Sequence, residues 1–265
     1  MESNNEDQII PSQTWFGIYL NWSEDMMKKV LYLVFFLLVV ISFCHGQSLS
    51  AFDSLYQVAA NSTNDSVKAY YYDEACREIL RSNPDSALAV AKLGLEHSKK
   101  TNNDTLIADS YNSLGVIYRT LSNYKDAIKS LQASLTHAKK VNALRQIENS
   151  KSALGLVYTE QGNFSAAIEI YYQILLFAKN RKDTSSMAQI SNNIGNIYFE
   201  QNLYDKALEY YQEAYKYAIA MQHEFGQCLL LNNIGSVYYK EKKYDLALES
   251  YEKSYAFSIK LEDTE

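Results

Sequence analysis

The chain has 265 residues, and its nine Gly and two Pro are too few for a collagen-like, linker-like or turn-rich sandwich architecture. A net charge of −6 leaves no basic footprint for nucleic acid, while a 13% aromatic content, with 23 Tyr, supplies large amphipathic surface for a packed interior. The same composition excludes disorder over most of the chain.

Residues 1–25 hold five acids, no Lys or Arg, and both Trp residues of the chain, where a signal sequence would be short and basic. They are read as a mis-assigned start or a disordered extension, with translation beginning at Met26 or Met27. Residues 26–46 then form a signal peptide. Lys28 and Lys29 precede an apolar run from Val30 to Phe43, and cleavage is expected after Gly46. That run is shorter than the roughly 20 residues of a membrane span. The chain is therefore expected to be exported and periplasmic, or anchored to the inner membrane by residues 30–43 if the signal is not cleaved. Lipid modification of Cys44 is a third alternative, disfavoured by bulky Phe43 immediately before it. Cleavage takes the net charge from −6 to −3 and leaves Cys76 and Cys228, 152 residues apart, which are not expected to pair. Residues 47–65 read as a short helix or linker.

From residue 66 to 261 the sequence repeats itself every 40 residues. Gly115, Gly155, Gly195 and Gly235 form one ladder, and Tyr118, Tyr158, Tyr198 and Tyr238 a second. Tyr124, Phe164, Tyr204 and Tyr244 form a third, and Ala127, Ala167, Ala207 and Ala247 a fourth. One step further back lie Ala75, Pro84 and Ala87, which mark a degenerate first unit, so five units are expected. Within a unit the apolar spacing is helical twice over: Tyr111, Leu114, Gly115 and Tyr118, then Tyr124, Ala127, Ile128, Leu131 and Leu135. Each unit is thus two helices joined by a short polar turn, which favours antiparallel neighbours. Asp104 and Asp183 are expected to cap first helices, and Pro84 suits a first turn. A glycine inside a helix costs about 0.5–1 kcal/mol relative to Ala, so the four-fold ladder demands an offsetting contact. The expectation is close approach of the paired helices at Gly115, Gly155, Gly195 and Gly235, opposite Ala127, Ala167, Ala207 and Ala247, with Tyr118 and Tyr124 filling the flanks.

Leu154-Gly155-x-x-Tyr158, then Gly162-Asn163-Phe164-x-x-Ala167 and Tyr171, resemble the tetratricopeptide repeat in a 40-residue variant. The family's first position, often Trp, is held by Tyr111, Lys151, Ser191 and Leu231, and its late Pro is absent. The resemblance implies an all-α fold, an α-solenoid of antiparallel helix pairs wound as a right-handed superhelix. The order of parts, with Ser82-Asn83-Pro84-Asp85-Ser86-Ala87 in the first unit, also resembles the extracytoplasmic repeat region of bacterial membrane signalling proteins. There the repeats are an input module, followed by a transmembrane helix and a histidine-kinase or DNA-binding output.

By the same resemblance, the face of the first helices opposite the packed one lines a concave groove that holds an extended peptide. Its residues are Asn112, Val116 and Arg119, then Ser152 and Leu156, then Asn192, Asn196 and Phe199, then Asn232, Ser236 and Tyr239. Carboxamides suit the role because Asn donates to and accepts from a peptide backbone. A plain solvated polar face is the competing reading. His97 and His137 share a position with Phe177, Tyr217 and Phe257, which marks them as packing aromatics and not metal ligands. No nucleophile arrangement, phosphate loop or metal motif is present, so no catalysis, metal or cofactor is expected. Residues 262–265 read as the start of a missing next repeat. Its absence would leave Tyr244, Leu248, Tyr251 and Tyr255 uncovered, open to a covering partner. Taken together, the sequence reads as an exported, non-catalytic module for protein or peptide binding, the sensor or scaffold part of a signalling protein. The alternative is the truncated N-terminal part of a membrane histidine kinase or transcriptional regulator.

Overall fold

The computed structural model describes residues 50–262; the start, signal-peptide and anchor expectations for residues 1–46 lie outside the described residues, as do residues 263–265. Among the described residues there are eleven helices and no strand. A short helix α1 (Ala51–Asn61) precedes α2 (Asp65–Ile79) and α3 (Pro84–Lys100), then α4 (Asp104–Thr120) and α5 (Tyr124–Lys140). They are followed by α6 (Leu144–Glu160) with α7 (Phe164–Arg181), α8 (Thr184–Glu200) with α9 (Tyr204–Ala220), and α10 (Glu224–Lys240) with α11 (Tyr244–Glu262). The architecture is an all-α solenoid of paired antiparallel helices. Each helix packs on the next, and the first helices also touch one another, α2 with α4 and α4 with α6, so they form the inner row. No described helix is long and apolar enough to cross a membrane.

The turns explain why the stack is regular. Asn102, Ser122, Asn142, Lys182, Asn202, Gln222 and Lys242 have φ between 50° and 62°, and Gly162 has φ 72°. They recur every 20 residues, half the sequence period. At the Ser122 turn the N–H of Asn123 donates to the Tyr118 carbonyl and that of Ser122 to the Arg119 carbonyl, at 2.8 Å each. This is the Schellman closure of a helix end, and the residue after it caps the next helix. Asn103, Asn123, Asn163, Asp183 and His223 all accept from backbone N–H groups there, whereas Ala143 and Leu203 cannot. Asp183 therefore caps α8, but α4 is capped by Asn103 and not by Asp104. Asp104 is one residue inside the helix, where its carboxylate accepts from Nδ1 of His137 at 2.5 Å.

His137 stacks on Tyr111 with ring centroids 5.8 Å apart, and His97 on Tyr72 at the same distance. Both are aromatic packers, but each also ties the end of a second helix to the start of its partner, since His97 donates to Asp65 at 2.6 Å. These bonds hold the Asp65 and Asp104 carboxyls below the usual carboxylate range. Lys260 and Glu224 make the equivalent tie in the last pair. Such pairs also place negative charge at a helix N-terminus and positive charge at a C-terminus, where the helix dipoles favour them.

The same contacts correct the register of the first pair. His97 and His137 are 40 residues apart, but Asp65 and Asp104, like Tyr72 and Tyr111, are 39 apart. The turn between α2 and α3 is one residue longer than the later ones, so the position of Gly115 falls on Cys76 and not on Ala75. Burial pushes the Cys76 thiol up to about 12. Cys76 and Cys228 are both free.

The four helical glycines make room for a side chain, and this alters the packing expected of them. A Cβ on Gly115 would lie 2.5 Å from Leu131 Cγ, and on Gly155, Gly195 and Gly235 it would lie 2.6, 2.7 and 2.8 Å from the rings of Tyr171, Tyr211 and Tyr251. At Gly115 the Ala127 carbonyl also comes near, at 3.4 Å, whereas the three nearest atoms at the other three glycines all belong to the tyrosine. The glycine is thus a notch for the residue 16 positions on, in the paired helix. Ala127, Ala167, Ala207 and Ala247 are buried beside it, and Tyr118 and Tyr124 pack on the edge of the core. At the other end of the stack, Tyr244, Leu248 and Tyr255 of α11 are exposed, and Tyr251 is half-buried. Their counterparts Tyr204, Leu208 and Tyr215 on α9 are half-buried against the core.

Candidate functional site

The inner row of helices carries the eleven sequence-predicted groove residues, and the structure gathers four of them. Asn112 and Val116 of α4 meet Ser152 and Leu156 of α6 around a concavity of about 240 Å³, closed by Ile174 and by Gln189 and Ile190 of α8. Apolar walls and amide rims alternate there because residues four apart on one helix face the same way. The Asn112 Oδ1 atom is buried and accepts no hydrogen bond. A buried acceptor without a donor costs about 1–3 kcal/mol, and this one is closed to solvent, so an N–H would reach it only if the Asn112 side chain turned toward the cavity.

The other predicted residues are committed elsewhere. Arg119 donates through Nη1 to Glu160 at 2.5 Å, while its Nε is buried without a partner. Asn192 accepts from Asn233 at 2.9 Å. Asn196 accepts from the Tyr211 hydroxyl at 2.8 Å, and Ser236 lies 3.2 Å from the Tyr251 hydroxyl. These two therefore satisfy the rings seated in the Gly195 and Gly235 notches. Phe199 and Tyr239 each pack across a turn, on Tyr204 and Tyr244, at 5.8 Å between centroids. Asn232 is exposed and its carbonyl accepts from the Ser236 hydroxyl.

A second inner cavity, of about 420 Å³, lies outside the sequence-predicted groove, whose residues begin at Asn112. It lies one turn earlier on the same helices, between Asp73 of α2, Asp109 of α4 and Gln146 of α6, and Asn112 and Asn149 link the two cavities. The 40-residue step taken one turn earlier, through Asp109 and Asn149, points to it. Asp73 is buried and receives Arg77 at 2.5 Å, yet burial pushes its carboxyl up to about 6. Burial raises Asp109 as well, against a 3.4 Å hydrogen bond from Gln146.

A larger concavity of about 860 Å³ lies on the outer helices α7 and α9, around Tyr172, Leu176, Glu209 and Lys216. It is open, and its hydroxyls bond one another, Tyr172 to Tyr210 at 2.8 Å and to Tyr198 at 3.4 Å. Its carboxylates and Lys216 face solvent, whereas the inner cavities draw together residues of three successive inner helices, which makes them the better candidates. Among the described residues there is no group of three or more His, Cys, Asp or Glu able to hold a metal ion.

Known proteins bear on the repeats. The tetratricopeptide repeat family matches residues 146–220, 108–139 and 230–257, together about half of the chain. No curated protein matches at a significant level. Among solved structures, BtubC (BKLC) from P. vanneervenii superposes with a TM-score of 0.64 at 15% identity, over 80% of this chain and 93% of that one. A Rap protein complexed with competence and sporulation factor gives a TM-score of 0.68 at 17% identity, over 80% of this chain and 59% of that one. Aspartyl phosphate phosphatase F from Bacillus subtilis gives 0.60 at 13% identity, over 77% and 64%. At these identities the likeness is one of fold.

Proposed function

Because this chain is a tetratricopeptide-repeat protein, a helical scaffold for protein–protein contact, we propose that its inner groove binds an extended peptide or protein segment. The observation that carries this is the concavity that Asn112, Val116, Ser152 and Leu156 line on adjacent inner helices. An extended strand offers N–H groups and side chains at the spacing such a surface needs. The module is read as non-catalytic, binding being its whole chemistry. The Rap structure, which is complexed with competence and sporulation factor, supports a solenoid of this shape serving as a receptor.

We further propose export of the chain, on the strength of the apolar run Val30–Phe43 behind Lys28 and Lys29, and a role as sensor or scaffold in signalling. The exposed Tyr244, Leu248 and Tyr255 on α11 offer a second contact surface, for a covering partner. The groove reading is tested by cross-linking in the native host, comparing the wild type with the double variant Val116→Arg and Leu156→Arg and with Leu176→Arg on the outer face. Partners should be lost from the groove variant and kept by the outer one. Identical partners in all three would remove the groove from the function.

A further inference from the structure

We infer that the groove selects peptides with a basic side chain, which enters the cavity between Tyr70, Asp73 and Asp109, and an apolar side chain two or three residues away, which enters the cavity at Val116 and Leu156. This rests on the groove reading and gives it a ligand class. Three carboxylates line the first cavity, Asp73 and Glu74 from α2 and Asp109 from α4. The Arg77 guanidinium is taken up by its own helix, with Nη2 on Asp73 at 2.5 Å and Nη1 on Glu74 at 2.6 Å. Asp109 has no ion pair within 4.0 Å among the described residues, although Arg145 stands exposed at the rim. Arg77 and Arg145 line the same cavity and act on Asp109 from a distance, but neither is in contact with it, so a half-buried carboxylate still gains from a cation brought directly to it. Tyr70 is exposed on the same wall, so an aromatic face is available to the aliphatic stem and cationic head of Lys or Arg.

The link to the second cavity is an independent observation. Asn112 lines both, three residues after Asp109 and four before Val116. The seven residues from Asp109 to Val116 span about 10 Å of helix, which an extended peptide covers in about three residues. A single strand laid along α4 therefore meets a carboxylate, the Asn112 carboxamide and an apolar wall in turn. The first holds a side-chain cation, the second faces the peptide main chain, and the third holds an apolar side chain.

The test uses the full chain and pools of acetylated, amidated dodecapeptides, random except for one central position fixed as Arg, Lys, Gln or Glu. The wild type should retain the Arg and Lys pools about tenfold better than the Gln and Glu pools, the scale of one charged hydrogen bond. Asp109→Asn should abolish that preference without loss of helical signal or of Gln-pool binding, and Asp109→Lys should turn it toward Glu. Equal retention of all four pools by the wild type, or a basic preference surviving in Asp109→Asn, overturns the inference. The groove reading still stands in that case if Leu156→Arg releases every pool. If neither Leu156→Arg nor Asp109→Lys alters any pool, both fail together. A wild-type dimer that dissociates on Asp109→Lys would put a second copy in the cavity and also overturn the inference.

Discussion

Tyr171 and Tyr211 are one repeat apart and seated alike, each ring in the notch of a helical glycine, each buried, yet their hydroxyls differ. That of Tyr211 donates to Asn196 at 2.8 Å; that of Tyr171 is buried without a partner in good geometry, because Leu156 stands where Asn196 stands and leaves only the Thr159 hydroxyl nearby. The first pair of rungs is apolar throughout, Val116 beside Leu131, and the last pairs Ser236 with Tyr251. The position after each glycine therefore faces two ways. It either completes the interior or shapes the groove, and at Leu156 the groove prevails at the expense of a stranded hydroxyl. Burial raises the pKa of both phenols.

The largest expected effect comes from closing a notch. Gly195→Leu should cost about 3 kcal/mol or more in a urea titration, since the new side chain overlaps the Tyr211 ring. Adding Tyr211→Ala should recover part of that loss; a loss left unchanged by the second substitution would mean the ring is not what the glycine accommodates.

Asp73 shows the cost of burial in a group that titrates, even with Arg77 as its partner. With its folded carboxyl raised to about 6 from 3.8, the native state binds that proton more tightly than the unfolded chain does. Stability is then present at low pH and lost as pH rises from about 4 to about 6, in the sense opposite to Asp65 and Asp104. Asp73→Asn should remove this slope, so wild type should fall relative to the variant by about 2 kcal/mol between pH 4 and pH 7. Parallel profiles would show that Arg77 fully compensates the buried charge.

The tyrosine comparison itself is broken or sharpened by two single-atom changes. Tyr211→Phe should destabilise by about 1 kcal/mol, whereas Tyr171→Phe should be neutral or stabilising by a similar amount. Leu156→Asn should stabilise through a new bond to Tyr171 while weakening peptide retention. Equal effects of the two Phe substitutions would refute the difference drawn between the rings. Smallest of all, Gln222→Gly should raise stability by about 0.5 kcal/mol, measured as the melting temperature, because φ 54° suits glycine better than glutamine.

Much of the scaffold is legible in the sequence, because a 40-residue step aligns glycines, aromatics and alanines without reference to three dimensions. The rung from Gly195 to Tyr211 is less so. Both ladders are visible, but which ring fills which notch depends on how two helices cross, and that is a tertiary fact. Asn103 and Asp104 are both capable of capping α4, and the left-handed Asn102 before them decides in favour of Asn103. The first pair slips by one residue because Leu80–Asn83 is a four-residue turn without a left-handed member, which no fixed period can reveal. In the groove, side chains such as Asn196 looked free because their partner, a tyrosine hydroxyl 15 residues on, belongs to the neighbouring helix. Asp109 belongs to none of the repeating ladders, so only the meeting of α2, α4 and α6 reveals its place in a cavity.

The 20-residue recurrence of one bend has a consequence for how such a molecule can change its length. Since the joints within and between pairs are built alike, a duplicated or deleted stretch can be spliced at any of them without redesigning a connection. Splicing two helices at once keeps every inner helix inside, so the binding trough simply grows or shrinks. Splicing one helix would swap inner for outer in everything downstream, and the trough would end there.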